Sequence, residues 1–176
     1  MKIAITGHTS GIGKAISDAM ITENEILGFS KSNGFDISIE SDIKNLVLMA
    51  KSCNVFINNA YHETGQVDLF NSMFRLWQDR PNTIVNIISR AKYFDVENAY
   101  TQSKKDLYDK SINACFLNKQ CRVININLGY VDTDRVKDIS APKLKLNEVA
   151  EMIKWTIDQP HHIEIAELSV WSKYGI

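Results

Sequence analysis

Three sets of residues in this 176-residue chain have the types and spacing to do chemistry. Tyr100 and Lys104 stand four apart, which on a helix puts both side chains on one face. A phenol ionises near pH ~10 in water and is a poor base at neutrality unless its anion is stabilised, as a neighbouring ammonium would do. Lowering a phenol by about three pKa units takes roughly 4 kcal/mol, within reach of a close charge in a desolvated site. Ser89 has a hydroxyl that can hold a substrate oxygen against such a tyrosine. The third set is the glycine loop Gly7-His8-Thr9-Ser10-Gly11-Ile12-Gly13, which follows a short apolar run and opens a helical pattern. A loop of that kind offers unpaired N–H groups and the positive end of a helix to a pyrophosphate. Glycine is needed there for a sharp turn and where a side chain would block the phosphate. Taken singly, each set has a plainer reading: a solvated surface pair, a strand-end hydroxyl, a tight turn. Their conjunction points to one reaction, in which Tyr100 passes a proton to or from an oxygen oriented by Ser89.

The elements that must position these residues follow from periodicity. Strands are predicted over 2–6, 26–29, 55–57, 83–88, 122–126 and 163–170, with a possible further strand over 35–37 after the Asn33-Gly34 turn. Helices are predicted over 12–21, 41–50, 67–77, 97–117 and 147–157, the first presenting Ile12, Ala15, Ile16, Ala19 and Met20 on one face. Strands that alternate with helices, and that read as apolar runs, belong to a parallel sheet covered on both faces. The expected fold is therefore α/β: a single doubly wound Rossmann domain over 1–176, with a mostly parallel sheet of about seven strands. Such folds bind ligands at the carboxyl ends of their strands. The glycine loop, Ser30-Lys31-Ser32, Asn58-Asn59-Ala60, Ser89 and Gly129-Tyr130-Val131-Asp132-Thr133 all fall at that rim.

Composition removes several other classes. Twenty Lys and Arg against 21 Asp and Glu leave a formal charge of −1, so there is no global attraction for nucleic acid or anionic lipid. No apolar run approaches the roughly 18 residues of a membrane span, and no secretory pattern precedes the glycine loop, so a cytoplasmic location is expected. The three cysteines form no CxxC, and His161-His162 lacks a third ligand at metal spacing, so no metal site is expected. The absence of GK[ST] after the loop disfavours a P-loop nucleotidase despite the Gly13-Lys14 pair.

Four features in register, Thr6-Gly7-x-x-x-Gly11-Ile12-Gly13, Asn58-Asn59-Ala60, Ser89 and Tyr100-x-x-Ser103-Lys104, resemble the motifs of the short-chain dehydrogenase/reductase family over nearly the whole chain. The resemblance implies interconversion of a carbonyl and an alcohol by hydride transfer, with Ser89, Tyr100 and Lys104 as the catalytic set. It implies that Lys104 also binds the nicotinamide ribose. Gly7, Thr9, Ser10, Gly11, Ile12 and Gly13 would then cradle the dinucleotide. Asp36 would lie near the adenine, Asn58 and Ala60 would wall the cofactor, and Val131 and Thr133 would contact its carboxamide. An acidic residue at the end of the second strand would favour NAD; the hydroxyls and cation of Ser30-Lys31-Ser32, with His8 nearby, favour NADP(H) over NAD(H).

The sequence departs from the family pattern in several places. Tyr61 follows Asn58-Asn59-Ala60 where the family has glycine, and Leu128-Gly129 replaces Pro-Gly. No asparagine lies at the usual distance before Ser89 to complete a proton relay; Gln66 is near that place and Asn71 is later. The segments 61–66 and 135–146 look trimmed, which implies an open pocket, a small substrate or a neighbouring subunit. Tyr61 and His62 lie near the expected pocket. The partners expected are a small carbonyl or alcohol substrate and a second copy of the chain, as homodimer or homotetramer. Phe70, Phe74, Leu107 and Phe116 would serve either that interface or the core. The alternative is a non-catalytic dinucleotide-binding redox sensor or scaffold, which would not require Ser89, Tyr100 and Lys104 together.

Overall fold

The structure, a computed structural model, describes residues 1–94, 98–117 and 119–173. Its centre is a six-stranded parallel sheet of β1 (Lys2–Thr6), β2 (Glu25–Phe29), β3 (Val55–Asn58), β4 (Thr83–Ile87), β5 (Arg122–Leu128) and β6 (Glu167–Val170). The strands run in the order β2-β1-β3-β4-β5-β6. Helices α1 (Gly11–Met20), α2 (Glu40–Ala50), α3 (Gly65–Trp77), α4 (Ala99–Cys115) and α5 (Leu146–Asp158) cover both faces.

Every residue of β3, β4 and β5 is buried, which is why these strands read as apolar runs rather than alternators. Alternation still sorts their side chains between two cores. Ile3 and Ile5 pack with Ile16 and Met20 of α1 and Val149 and Ile153 of α5. Ala4 and Phe56 face the other way, onto Leu46 of α2, Met73 and Trp77 of α3 and Leu107 of α4. From β1 the chain crosses to β2 on one side, then returns through α2 to β3 on the other. That reversal opens a crevice at the carboxyl ends of β1 and β3.

The sheet has six strands because residues 35–37 do not join it. Asn33 Oδ1 accepts from Ser30 N at 2.7 Å, closing a 3-10 turn over Lys31–Asn33, and Gly34 takes φ +88°. Asp36 Oδ1 then accepts from Ser38 N at 2.9 Å, and Asp42 Oδ2 accepts from Asp36 N at 3.0 Å. Side chains satisfy this backbone locally, so no ladder is required. Phe35 instead packs edge-on against Phe29, and Ile37 enters the core. The last strand is confined to its final four predicted residues. Of the side chains weighed for an interface, Phe70 and Leu107 lie in the core, Phe74 is half-buried and Phe116 is 79% exposed.

Candidate active site

The glycine loop is shaped by close approach. Gly7 and Gly11 have φ of +70° and +51°, and a Cβ on Gly13 would stand 2.1 Å from the Gly7 carbonyl oxygen. No other residue type fits that last position without moving the loop off the helix. Ser10 is the N-cap residue of α1, and its side chain makes no capping bond, so the first turn of the helix keeps donors for an anion. Asn59 clamps the loop from β3: its Nδ2 donates to Thr6 O at 3.0 Å, and its backbone N donates to Thr6 Oγ1 at 2.9 Å. Ala60 N donates to the same hydroxyl at 2.9 Å. This cradle fits a dinucleotide pyrophosphate.

Beside it lies a cleft of about 750 Å3 that brings together Ser89, Tyr100, Lys104, Val131 and Thr133, with Ile12 from the glycine loop. Asn98 caps α4 by accepting from Thr101 N at 2.8 Å, so the helix opens at Ala99 and carries Tyr100 in its first turn and Lys104 one turn further on. Lys104 is 3% exposed, and its Nζ lies 5.6 Å from the centre of the Tyr100 ring. The amine donates to Gln66 Oε1 at 2.5 Å and to Ile87 O at 2.9 Å, leaving a third donor for the cleft. Burial, reinforced by the charge of Arg135, pushes its pKa down to about 7. Ser89 Oγ accepts from Ala91 N at 3.1 Å, which fixes the hydroxyl while its hydrogen remains free to bond an oxygen in the cleft.

A second pocket of about 350 Å3 adjoins the loop, lined by Gly7, Thr9, Ser30, Lys31, Ser32 and Ala60 among others. Lys31 Nζ pairs with Asp36 Oδ2 at 2.9 Å. That hydrogen bond, with others from Ser38, holds the Asp36 carboxyl down at about 2. His8 packs over Gly28, where a Cβ would stand 2.3 Å from its ring. Asn58, placed on the cofactor wall by the resemblance, is fully buried instead. Its Nδ2 donates to Gln66 O at 2.8 Å and to Asn86 Oδ1 at 3.1 Å, behind the cleft. Asp36 is paired with Lys31 and lines neither pocket.

Four further residues line or adjoin the cleft, of which the sequence points to Tyr61 and Gln66 by position alone. Asn59, to which the sequence assigns no role, is the residue that clamps the glycine loop. Gln66 is the helical amide that meets the lysine, and its Nε2 donates back to Asn58 O at 2.9 Å. Tyr61 lines both pockets, and its ring meets Tyr100 edge-on with centres 4.9 Å apart. Arg135 lies 5.0 Å from the centres of both tyrosine rings. Its signal was only its position two residues after Thr133. His62 is half-buried, while His161 and His162 are exposed.

A doubly wound parallel sheet with a glycine cradle at the first strand–helix turn defines a Rossmann-type α/β fold. More narrowly, the chain has the fold of the short-chain dehydrogenases/reductases. It aligns with 3-alpha-hydroxysteroid dehydrogenase from Pseudomonas sp. B-0831, solved with NADH, at a TM-score of 0.83 and 16% identity over 97% of this chain and 95% of that one. A short chain dehydrogenase from Burkholderia cenocepacia J2315 in complex with NADP gives 0.81 and 15% over 96% and 86%. Serine dehydrogenase from Escherichia coli gives 0.76 and 18% over 97% of each chain. No protein-family model matches the sequence, and no curated protein matches it either.

Proposed function

We propose that this chain is a single-domain NADP(H)-dependent oxidoreductase that interconverts a carbonyl and an alcohol. The observation that carries the reading is the convergence of Ser89, Tyr100 and Lys104 on one cleft adjoining the glycine cradle. When bound, the nicotinamide supplies or takes up the hydride. In the reductive direction Ser89 donates a hydrogen bond to the carbonyl oxygen and fixes its position. Tyr100 Oη gives its proton to that oxygen as negative charge builds there. Lys104, anchored by Gln66 and Ile87, keeps an N–H directed into the cleft for the tyrosine and the nicotinamide ribose. In the reverse direction the same groups take the proton away.

The preference for NADP(H) is supported by the end of β2, where Ser30, Lys31 and Ser32 line the second pocket with no acidic side chain among them. Lys31 is largely exposed and Asp36 is held by Ser38, so the ammonium can turn to a 2′-phosphate. Similar folds solved with NADP and with NADH lend general support to a dinucleotide. A second copy of the chain is the proposed oligomeric partner. The test follows NADPH absorbance across a panel of aldehydes and ketones. Turnover that falls by more than about 100-fold in Tyr100→Phe, the usual scale of a proton-transfer group, with NADPH binding kept, supports the enzyme. Tight NADPH binding with no oxidation across the panel would instead identify a redox sensor or scaffold.

A further inference from the structure

The cleft has a charge pattern that proton transfer does not require. The described residues lining it include three basic side chains, Arg90, Lys104 and Arg135, and no aspartate or glutamate. Lys104 gives two of its donors to Gln66 and Ile87, and Arg90 is stacked between Phe94 and Trp171, 5.1 and 5.4 Å from their ring centres. Arg135 differs. It sits at the exposed mouth, makes no ion pair with a described carboxylate, and is held by stacking against the Tyr61 and Tyr100 rings. Stacking orients the flat face of a guanidinium and leaves its edge, with parallel N–H donors, available to an oxyanion. A cation kept beside a buried lysine is costly unless something gains from it, and the Arg135 charge already works against protonation of Lys104. An anion bound between them would relieve that repulsion.

We propose that the substrate carries an oxyanion, a carboxylate in the first instance, which Arg135 binds in a bidentate manner while the keto or hydroxyl carbon a few bonds away lies between Ser89 and Tyr100. This rests on the oxidoreductase reading and narrows its substrate to oxo acids and hydroxy acids. The step balances as oxo acid plus reduced nicotinamide plus one proton, giving hydroxy acid plus oxidised nicotinamide. The carbonyl carbon gains the hydride, and its oxygen gains the Tyr100 proton, which solvent restores. The carboxylate is unchanged throughout.

Matched probes that differ only in charge test this: 2-oxobutanoate and 4-oxopentanoate against their methyl esters. Each is titrated calorimetrically into the protein, with and without NADP+, and separately followed by NADPH oxidation. Wild type should bind the acids at least ten times more tightly than the esters. Arg135→Ala should abolish that preference, and Arg135→Lys, which keeps the charge near Lys104 but loses the fork, should weaken it. Esters that bind or react as well as acids would overturn the proposal, and their turnover would leave the oxidoreductase reading standing. Loss of NADPH affinity in Arg135→Ala as large as the loss of acid binding would also overturn it, since Arg135 would then serve the dinucleotide. Acid-selective binding that depends on Arg135, without turnover of any probe, would uphold the anion site and remove the reductase reading. Neither binding nor turnover of any probe would overturn both.

Discussion

Glu167 on β6 ties together the turn that follows Ser89 and the helix that carries Tyr100, so its replacement by glutamine tests how the site is held. Oε2 accepts from Lys92 Nζ at 3.2 Å and from Tyr108 Oη at 2.6 Å, and Oε1 accepts from Tyr93 Oη at 2.5 Å and Ser169 Oγ at 2.6 Å. Lys92 and Tyr93 belong to the 3-10 turn over Arg90–Tyr93 that Ser89 caps, and Tyr108 belongs to α4. The Lys92 side chain is 2% exposed, with Nζ 2.8 Å from the centre of the Tyr108 ring. Burial pushes the Glu167 carboxyl up, but the hydroxyls of Ser169, Tyr108 and Tyr93 and the Lys92 ammonium outweigh it and hold it at about 2. Glutamine preserves the shape and removes the charge, leaving a buried ammonium without its counter-ion.

Two routes give the size of the effect. The displacement of the carboxyl from 4.5 to about 2 is worth about 3 kcal/mol. Removing one partner of a buried pair costs about 3–5 kcal/mol. The folded pKa lies below the unfolded one, so this stability is fully present above pH 4.5 and is lost as pH falls toward 2, where the unfolded chain has already taken its proton. Urea unfolding followed by circular dichroism should find Glu167→Gln about 3 kcal/mol less stable than wild type at pH 7, with the gap closing to under ~1 kcal/mol near pH 2.5. A gap of equal size at both pH values refutes the carboxylate as its source. A loss below about 1 kcal/mol at pH 7 refutes the buried pair as a clamp.

Three further outcomes are expected. Gly13→Ala drives a Cβ to 2.1 Å from the Gly7 oxygen and 2.6 Å from Asn59 Nδ2. It should cost about 1–3 kcal/mol of stability and weaken NADPH binding in a fluorescence titration, whereas unchanged affinity would remove the loop from the cofactor site. Lys104 has a folded pKa of about 7 against an ordinary 10.5, so the unfolded chain binds the extra proton between those values, and wild-type stability should rise with pH there. Denaturation at pH 7 and pH 9 should show a gain of about 1 kcal/mol per pH unit that Lys104→Met abolishes; equal slopes would mean that burial does not lower the pKa of this amine. Lys31→Ala should raise the NADPH dissociation constant about tenfold relative to that of NADH, the equivalent of ~1.4 kcal/mol for one phosphate contact, and an unaltered ratio would remove the argument for NADP(H).

What the sequence made legible was whatever depends on spacing along one element. The parallel sheet followed from apolar runs of strand length, and the Tyr100–Lys104 face from an interval of four on a helix. Both are local consequences of backbone period. The features it hid are relations between elements. Residues 35–37 have the composition of a strand, yet Asp36, Ser38 and Asp42 satisfy that backbone with side-chain bonds, and pattern alone gives no weight to that competition. Asn58 and Asn59 are adjacent and chemically identical; only the pleat of β3 sends the first behind the sheet and the second to the glycine loop. Arg135 lies 35 residues from Tyr100 in sequence, in a 3-10 turn over Asp134–Val136 too short to show periodicity, and its stacking exists only once the chain has folded.

The same pleat explains why a buried lysine can hold its place. Asn58, Asn86 and Asn125 lie in register across β3, β4 and β5, each fully buried. Their amides chain together, Asn58 Nδ2 to Asn86 Oδ1 at 3.1 Å and Asn86 Nδ2 to Asn125 Oδ1 at 3.3 Å, and Ser111 of α4 closes the far end on Asn125 Oδ1 at 2.7 Å. At the near end Asn58 and Gln66 exchange side-chain-to-backbone bonds, and Gln66 presents its oxygen to Lys104. Slipping any of these strands by one residue would turn its amide toward the opposite face and strand its neighbours unpaired, at about 1–3 kcal/mol for each buried group. The row therefore fixes the register of the central strands, and with it the height at which Asn58 receives α3 and Gln66 meets α4. An apolar row of equal volume would pack as well but would leave that height to side-chain shape alone. The position of the amine beneath Tyr100 is thus set by hydrogen bonds that begin two strands away.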